Sequence, residues 1–465
     1  MNTPARFFIW VAFPFYIYAH SNGLPLMSTS PNIDGKQTCA QCHTGGMNGP
    51  GRVTLANLSA YTPGIAQTIL VQITGETAQE FGFQLTARLV SDPTQETEAG
   101  YFLAVAPDSQ VYSCSPKSSP PCSSDLEFAT HTPNSISPTG VGTRTWRVIW
   151  VPPGRDLGDV HFYVAVVAGT ASGPIGDRVY LQDIVVSTVA CNVTASPQIT
   201  TGPTGVEDAA SFRGEIASNG LISIFGQGFS ILGGPVPNTP ATGNGYFYQK
   251  ADLVSGSWPT ELACVEVTVD GKPVPVYFVT DKQINAQAPI FPPQGEVASV
   301  VVILNPGTTE QIVSNTYSVN AFAVQPSLFT FGGSNNAAAL NASKGYGYLA
   351  DTSVVASGVS AAPGDIIEIF GTGFGPTNPS YLPGQFAIPP PAAALPQLTT
   401  TPFSVSIGGQ TVPASDIKYA GLAFDAPGFY QVNVVVPDVP DGDQPIVVTV
   451  GGASSQRNVT IPVKH

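Results

Sequence analysis

Three observations predict an all-β protein made of tandem β-sandwiches. The 465 residues include 48 Gly and 44 Pro, and these turn formers punctuate short runs in which Val, Ile, Thr, Phe and Tyr alternate with polar residues. Charged residues make up only 10% of the chain, and no long stretch carries Ala, Leu, Glu and Lys at the helical period of a bundle. A segment also recurs: Leu221-Ile222-Ser223-Ile224-Phe225-Gly226-Gln227-Gly228-Phe229 is echoed by Ile366-Ile367-Glu368-Ile369-Phe370-Gly371-Thr372-Gly373-Phe374. At roughly 150 residues per domain, the length accommodates about three modules.

Residues 1–21 read as an export signal. Arg6 precedes the apolar run 7–19, and Ala19-His20-Ser21 places small residues where a signal peptidase inspects, so cleavage is expected after Ser21. The run is short for a membrane span, although a retained N-terminal anchor is the alternative reading. The formal charge of -14, from 17 basic and 31 acidic residues, lacks the clustered cations that nucleic acid or anionic lipid requires.

An irregular tether, 22–56, follows. It contains Cys39-Ala40-Gln41-Cys42-His43, the C-x-x-C-H spacing of covalent c-type haem attachment. Two thiols can add to the two haem vinyl groups while the adjacent imidazole ligates iron. A disulfide loop with a surface histidine, or a metal site with borrowed ligands, would use the same residues. If a haem is attached, the second axial ligand is sought among Met27, Met47, His131 and His161, or the iron is five-coordinate. Met47 follows His43 by four residues and needs a tight reversal, whereas Met27 has more chain to work with. His131 and His161 would require the haem to lie on the following sandwich, and a structural role is the default for both.

The first sandwich is expected over 57–190. Ile69, Val71 and Ile73 alternate with Thr68, Gln72 and Thr74, and further strands are predicted at 83–89, 101–106, 145–151, 161–168 and 179–186. Cys114 and Cys122 flank a Ser/Pro loop and can close a local disulfide; Cys191 and Cys264 can pair with each other, but spacing does not establish connectivity. Tyr61, Trp146, Trp150 and Tyr163 are either an aromatic binding patch or, the commoner outcome in a β protein, core residues.

Several blocks in this region, in order Tyr61-Thr62-Pro63-Gly64, Gly82-Phe83-Gln84-Leu85-Thr86-Ala87, Thr130-His131-Thr132, Trp146 with Trp150 and Pro152, His161-Phe162-Tyr163-Val164-Ala165 and Gly176-Asp177-Arg178-Val179-Tyr180, resemble the reeler (reelin N-terminal) domain. The closer resemblance is to the bacterial version, in which a C-x-x-C-H segment commonly precedes the sandwich. The animal version places its cysteines differently, so its extracellular-matrix roles do not carry over.

A linker is expected at 191–207, then two related sandwiches at 208–325 and 326–465. The repeat continues beyond its first segment: Val265-Glu266-Val267-Thr268-Val269-Asp270-Gly271 matches Phe403-Ser404-Val405-Ser406-Ile407-Gly408-Gly409, and Gln283-Ile284-Asn285 matches Gln431-Val432-Asn433. Together these residues resemble the uncharacterised C-terminal domain of secreted proteins from Solibacter-type acidobacteria, whose halves are similar to immunoglobulin-like IPT/TIG modules and bring no assigned activity.

Asp438, Asp441 and Asp443 suggest calcium or an ordinary acidic turn, the latter favoured because no bidentate Glu follows at a recognised spacing. No G-x-S-x-G, H-E-x-x-H or phosphate-loop motif occurs. The expected function is therefore non-enzymatic: an exported protein that binds an extracellular protein or glycan, with haem c at Cys39, Cys42 and His43. The alternative is an electron carrier whose sandwiches act as spacers.

Overall fold

A computed structural model describes residues 29, 38–113, 126–230, 245–388, 394–424 and 426–465. Its regular structure is almost entirely strand, arranged in antiparallel sheets with one parallel pairing between named strands, and the few helical turns are three residues long. The export signal, Met27 and the Cys114–Cys122 loop lie outside the described residues. The chain divides into two compact units. Unit 1 comprises Met1–Ala60, Gln67–Val151 and Gly158–Ser187; unit 2 comprises Tyr61–Ala66, Pro152–Leu157 and Thr188–His465.

Among the described residues, unit 1 is a sandwich of nine strands: β1 (Arg52–Ala56), β2 (Gln67–Thr74), β3 (Glu80–Leu89), β4 (Tyr101–Leu103), β5 (Ser109–Ser113), β6 (Glu127–His131), β7 (Thr143–Val151), β8 (Val160–Gly169) and β9 (Arg178–Val186). One sheet has the order β1-β2-β7-β4 and the other β5-β6-β3-β8-β9. The alternation read from the sequence sets the buried face: Ile69, Val71 and Ile73 of β2 are fully buried, as are Trp146, Val148 and Trp150 of β7. Aromatic rings join the layers. Trp146 lies 5.0 Å from Phe83 of β3, and Trp150 meets Phe162 of β8 edge-on at 4.7 Å. Each indole N–H donates to a carbonyl, Trp146 to Ser135 and Trp150 to Ala99, so burial leaves neither polar atom unpaired. Strand β4 stops at Leu103, earlier than expected, because Val105 O turns to accept from Asp108 N and Ser109 N.

Unit 2 contains two sandwiches with related frames. In the first, Leu221–Gln227 pairs with Gln283–Gln287; in the second, Ile366–Thr372 pairs with Tyr430–Val435. The registers superimpose the repeat. Phe225 stands opposite Gln283 and Ser223 opposite Asn285, just as Phe370 stands opposite Gln431 and Glu368 opposite Asn433.

The Phe-Gly-x-Gly-Phe segment has the same explanation in both copies. A Cβ on Gly371 would sit 2.5 Å from Ser327 O and 2.7 Å from the Phe374 ring, and one on Gly226 would overlap Gln198 O and the Phe229 ring. The first glycine thus admits an edge strand above a fully buried phenylalanine, Phe229 or Phe374. The second, Gly228 or Gly373, takes a positive φ of 68° or 74° to reverse the chain.

The segment expected as a linker does more than connect. Gln198–Ile199 and Val206–Asp208 both pair with Leu221–Gln227; strands of two and three residues are too short to show alternation, and an edge position tolerates the Pro and Gly around them. A disulfide joins Cys191 to Cys264 across 73 residues, with a Cα–Cα distance of 5.6 Å. Beside it, Asn305 is buried and holds the same incoming strap, accepting from Val193 N and donating to Val193 O, each at 2.8 Å.

Candidate functional site

The C-x-x-C-H segment folds as a single turn. Thr38 caps a 3₁₀ turn at Cys39–Gln41 by accepting from Ala40 N at 3.2 Å, and Cys39 O accepts from both Cys42 N and His43 N. Both cysteines and the histidine are therefore carried on one compact piece of backbone. Cys39 is half-buried, Cys42 is exposed, and neither belongs to a disulfide.

Beyond the turn the chain docks along β9. Thr44 N donates to Pro174 O, Gly45 N to Asp177 O, Val179 N to Gly46 O and Asn48 N to Val179 O. Glycine is what permits this approach. A Cβ on Gly45 would overlap the Gly176 backbone and lie 2.5 Å from Asp177 O; one on Gly49 would lie 2.5 Å from the Tyr180 hydroxyl. Further along, Gly51 N donates to the Tyr180 hydroxyl at 3.3 Å, and that hydroxyl donates in turn to buried Glu76. Burial, with Glu76 adding to it, raises the Tyr180 pKa and keeps the phenol a donor.

One side-chain contact ties the motif to this edge. His43 Nδ1 lies 2.8 Å from Asp177 Oδ2. Asp177 is only 4% exposed, and its other oxygen accepts from Thr170 N at 2.8 Å and Thr170 Oγ1 at 3.4 Å. With Nδ1 engaged, His43 Nε2 makes no hydrogen bond to the described residues. Two thiols at the haem spacing and an imidazole nitrogen left for a metal fit the donor chemistry of a c-type haem.

The other candidate ligands are placed differently. Met47 bridges to Val179 on the β9 edge and is 49% exposed. His131 is buried at the end of β6 with Nδ1 3.0 Å from Phe83 N, which donates to it, in a sheet whose order puts β3 and β8 between it and β9. His161 has both ring nitrogens engaged, Nε2 with Asp183 Oδ2 and Nδ1 with the Tyr163 hydroxyl, each at 2.8 Å. It lies at the far end of β8 from Gly169, roughly 26 Å away along an extended strand. His131 and His161 thus serve the sandwich.

Tyr61, Trp146, Trp150 and Tyr163 are core residues, none more than 5% exposed. Asp438 and Asp441 hold the His465 ring, at 3.2 and 2.6 Å, and Asp443 lies in strand register with Pro462. The hydrogen bond to His465 lowers the Asp441 pKa. Among the described residues no group of three or more His, Cys, Asp or Glu is arranged to hold a metal ion, either at Cys39, Cys42, His43 and Asp177 or at this acidic turn.

Two acidic residues escaped notice in the sequence. Asp177 is one: Gly176-Asp177-Arg178 stood out only as a block of reeler resemblance, and 134 residues separate it from His43. The second is Glu98, which is buried and accepts from Glu127 N at 2.7 Å, while Glu127 accepts from Phe102 N at 2.9 Å. Burial pushes both carboxyl pKa values up, that of Glu98 far up, with the neighbouring Glu127 charge adding to it. Their backbone partners give this pair a structural task.

No family model and no curated protein matches the chain. Among solved structures, the human F-spondin reeler domain is similar at 17% identity, covering 32% of this chain and 97% of that one with a TM-score of 0.21. The Bacteroides ovatus mixed-linkage glucan utilization protein SGBP-B is similar at 9% identity over 90% of this chain and 71% of its own, with a TM-score of 0.23. A PapD-like domain of human CEP192 is similar at 11% identity over 30% and 85%, with a TM-score of 0.19. At these scores none of the likenesses transfers a function.

Proposed function

We propose that this chain is an exported, non-enzymatic modular protein: a bacterial reeler-like sandwich with a covalent c-type haem on its edge, followed by a Solibacter-type pair of IPT/TIG-like sandwiches that offer contact surface to an extracellular protein or glycan. One observation carries the haem reading. The Cys39–His43 turn is clamped to β9 with His43 Nδ1 on Asp177, so both thiols and the Nε2 lone pair belong to a single anchored element. The Cys191–Cys264 disulfide supports export, since such bonds persist in oxidising compartments. No helix among the described residues is long and apolar enough to cross a membrane.

Reduced Cys39 and Cys42 would hold a haem as thioethers, each S–H adding across one vinyl double bond with Sγ on one carbon and the hydrogen on the other, so that no oxidant would be consumed. When bound, the haem supplies a one-electron couple. His43 Nε2 would ligate its iron, while the β9 edge holds the turn.

The test is expression with periplasmic haem-attachment machinery, followed by acid-acetone extraction and a pyridine haemochrome spectrum. The expected result is colour that stays with the protein and a tryptic peptide spanning Cys39–His43 that carries haem. Colourless protein with Cys39 linked to Cys42 would overturn the haem reading and leave the binding role. The exposure of Cys42 favours a second reading, electron exchange at the surface; rapid reduction of the bound haem by small soluble donors would support it.

A further inference from the structure

The link between the turn and the sandwich is more specific than anchoring requires. A backbone carbonyl would hold a histidine; here the partner is a buried carboxylate, itself fixed by Thr170 N and Thr170 Oγ1. A carboxylate only accepts hydrogen bonds, so Nδ1 carries the proton, and in the neutral imidazole Nε2 then presents its lone pair. A charged acceptor also makes a stronger hydrogen bond than a neutral one and strengthens the imidazole as an electron-pair donor to a metal. Asp177 is 4% exposed, so water does not dilute this effect.

We infer that Asp177 is the positioning residue of the iron ligand: it sets the His43 tautomer that ligates and strengthens that ligand, holding the haem toward its ferric state. This rests on the haem reading above. The geometry also says what asparagine would do there. Asn at 177 retains an oxygen for Thr170 N but turns its NH₂ toward His43, so Nδ1 becomes the acceptor and the proton moves to Nε2, the nitrogen that has to bind iron. Asp177→Asn therefore changes the tautomer with little change in shape.

Two measurements on the full mature chain test this, one of them independent of haem. In haem-free protein carrying ¹⁵N-histidine, His43 is expected as the Nδ1–H tautomer in the parent and the Nε2–H tautomer in D177N. In haem-loaded protein, D177N is expected to shift the ferric/ferrous equilibrium toward ferrous by tenfold or more, which for a one-electron couple is a rise in midpoint of 59 mV or more. D177E is expected to recover part of that shift. An Nε2–H tautomer in the parent, or a D177N midpoint equal to the parent's, would overturn the assignment of Asp177. Colourless protein with the Nδ1–H tautomer present would overturn the haem reading while leaving the Asp177–His43 pairing intact. The parent tautomer needs no variant, so a D177N chain that failed to fold would still leave the inference open to refutation.

Discussion

Replacing Cys191 and Cys264 together with alanine measures how far unit 2 depends on one crosslink. The bond closes a loop of 73 residues, and the chain-entropy relation assigns that closure about 4.4 kcal/mol at 25 °C. Cys264 is fully buried, so losing its sulfur adds a packing cost of about 1 kcal/mol. The strap does not detach in the native state, because Asn305 still holds Val193 through two hydrogen bonds. Most of the loss therefore arises from a freer unfolded chain. With an m-value of about 3 kcal/mol/M, the unfolding midpoint of unit 2 should fall by about 1.5 to 2 M urea. Hydrogen exchange followed by mass spectrometry along a urea series reads the units separately. Peptides covering Leu221–Gln227 and Gln283–Gln287 should lose protection early, while those from β3 and β8, in a unit without either cysteine, should keep theirs. A midpoint shift worth under about 1 kcal/mol, or an equal loss in unit 1, would refute the reasoning.

Two further outcomes concern unit 1. Because burial raises the Glu98 pKa in the folded chain, its contribution is fully present below the ordinary carboxyl value, 4.5, and is lost as pH rises through the folded value. Glu98→Gln should therefore match the parent near pH 4 and be the more stable near pH 8, as read by thermal unfolding at each pH; a constant difference between the two would contradict this. Gly45→Ala places a methyl group against the Gly176 backbone and should lift the tether from β9 at a local cost of about 2 kcal/mol. Faster exchange at Asn48 N–H and Val179 N–H, with loss of the His43–Asp177 hydrogen bond, is the expected signature, and unchanged protection at both amides would count against it.

How much was legible depended on how far apart the interacting residues stand. Alternation along 69–73 is a local property of the pleat, so the core face of β2 could be read directly. The Phe-Gly-x-Gly-Phe repeat was equally plain, and its two glycines fell where one must admit a neighbouring backbone and the other must reverse the chain. The short strands near 198 and 206 gave no such signal, since two or three residues carry no periodicity and take their pairing from Leu221–Gln227.

By itself the sequence determined the all-β class, the internal duplication and the chemistry offered by Cys39, Cys42 and His43, because each depends on residue types at short, regular spacing. Tertiary structure alone decided that Cys191 meets Cys264, that His131 and His161 belong to the sandwich, and that Asp177 holds His43. Those outcomes depend on which strands become neighbours, and that follows from burial summed over a whole sheet.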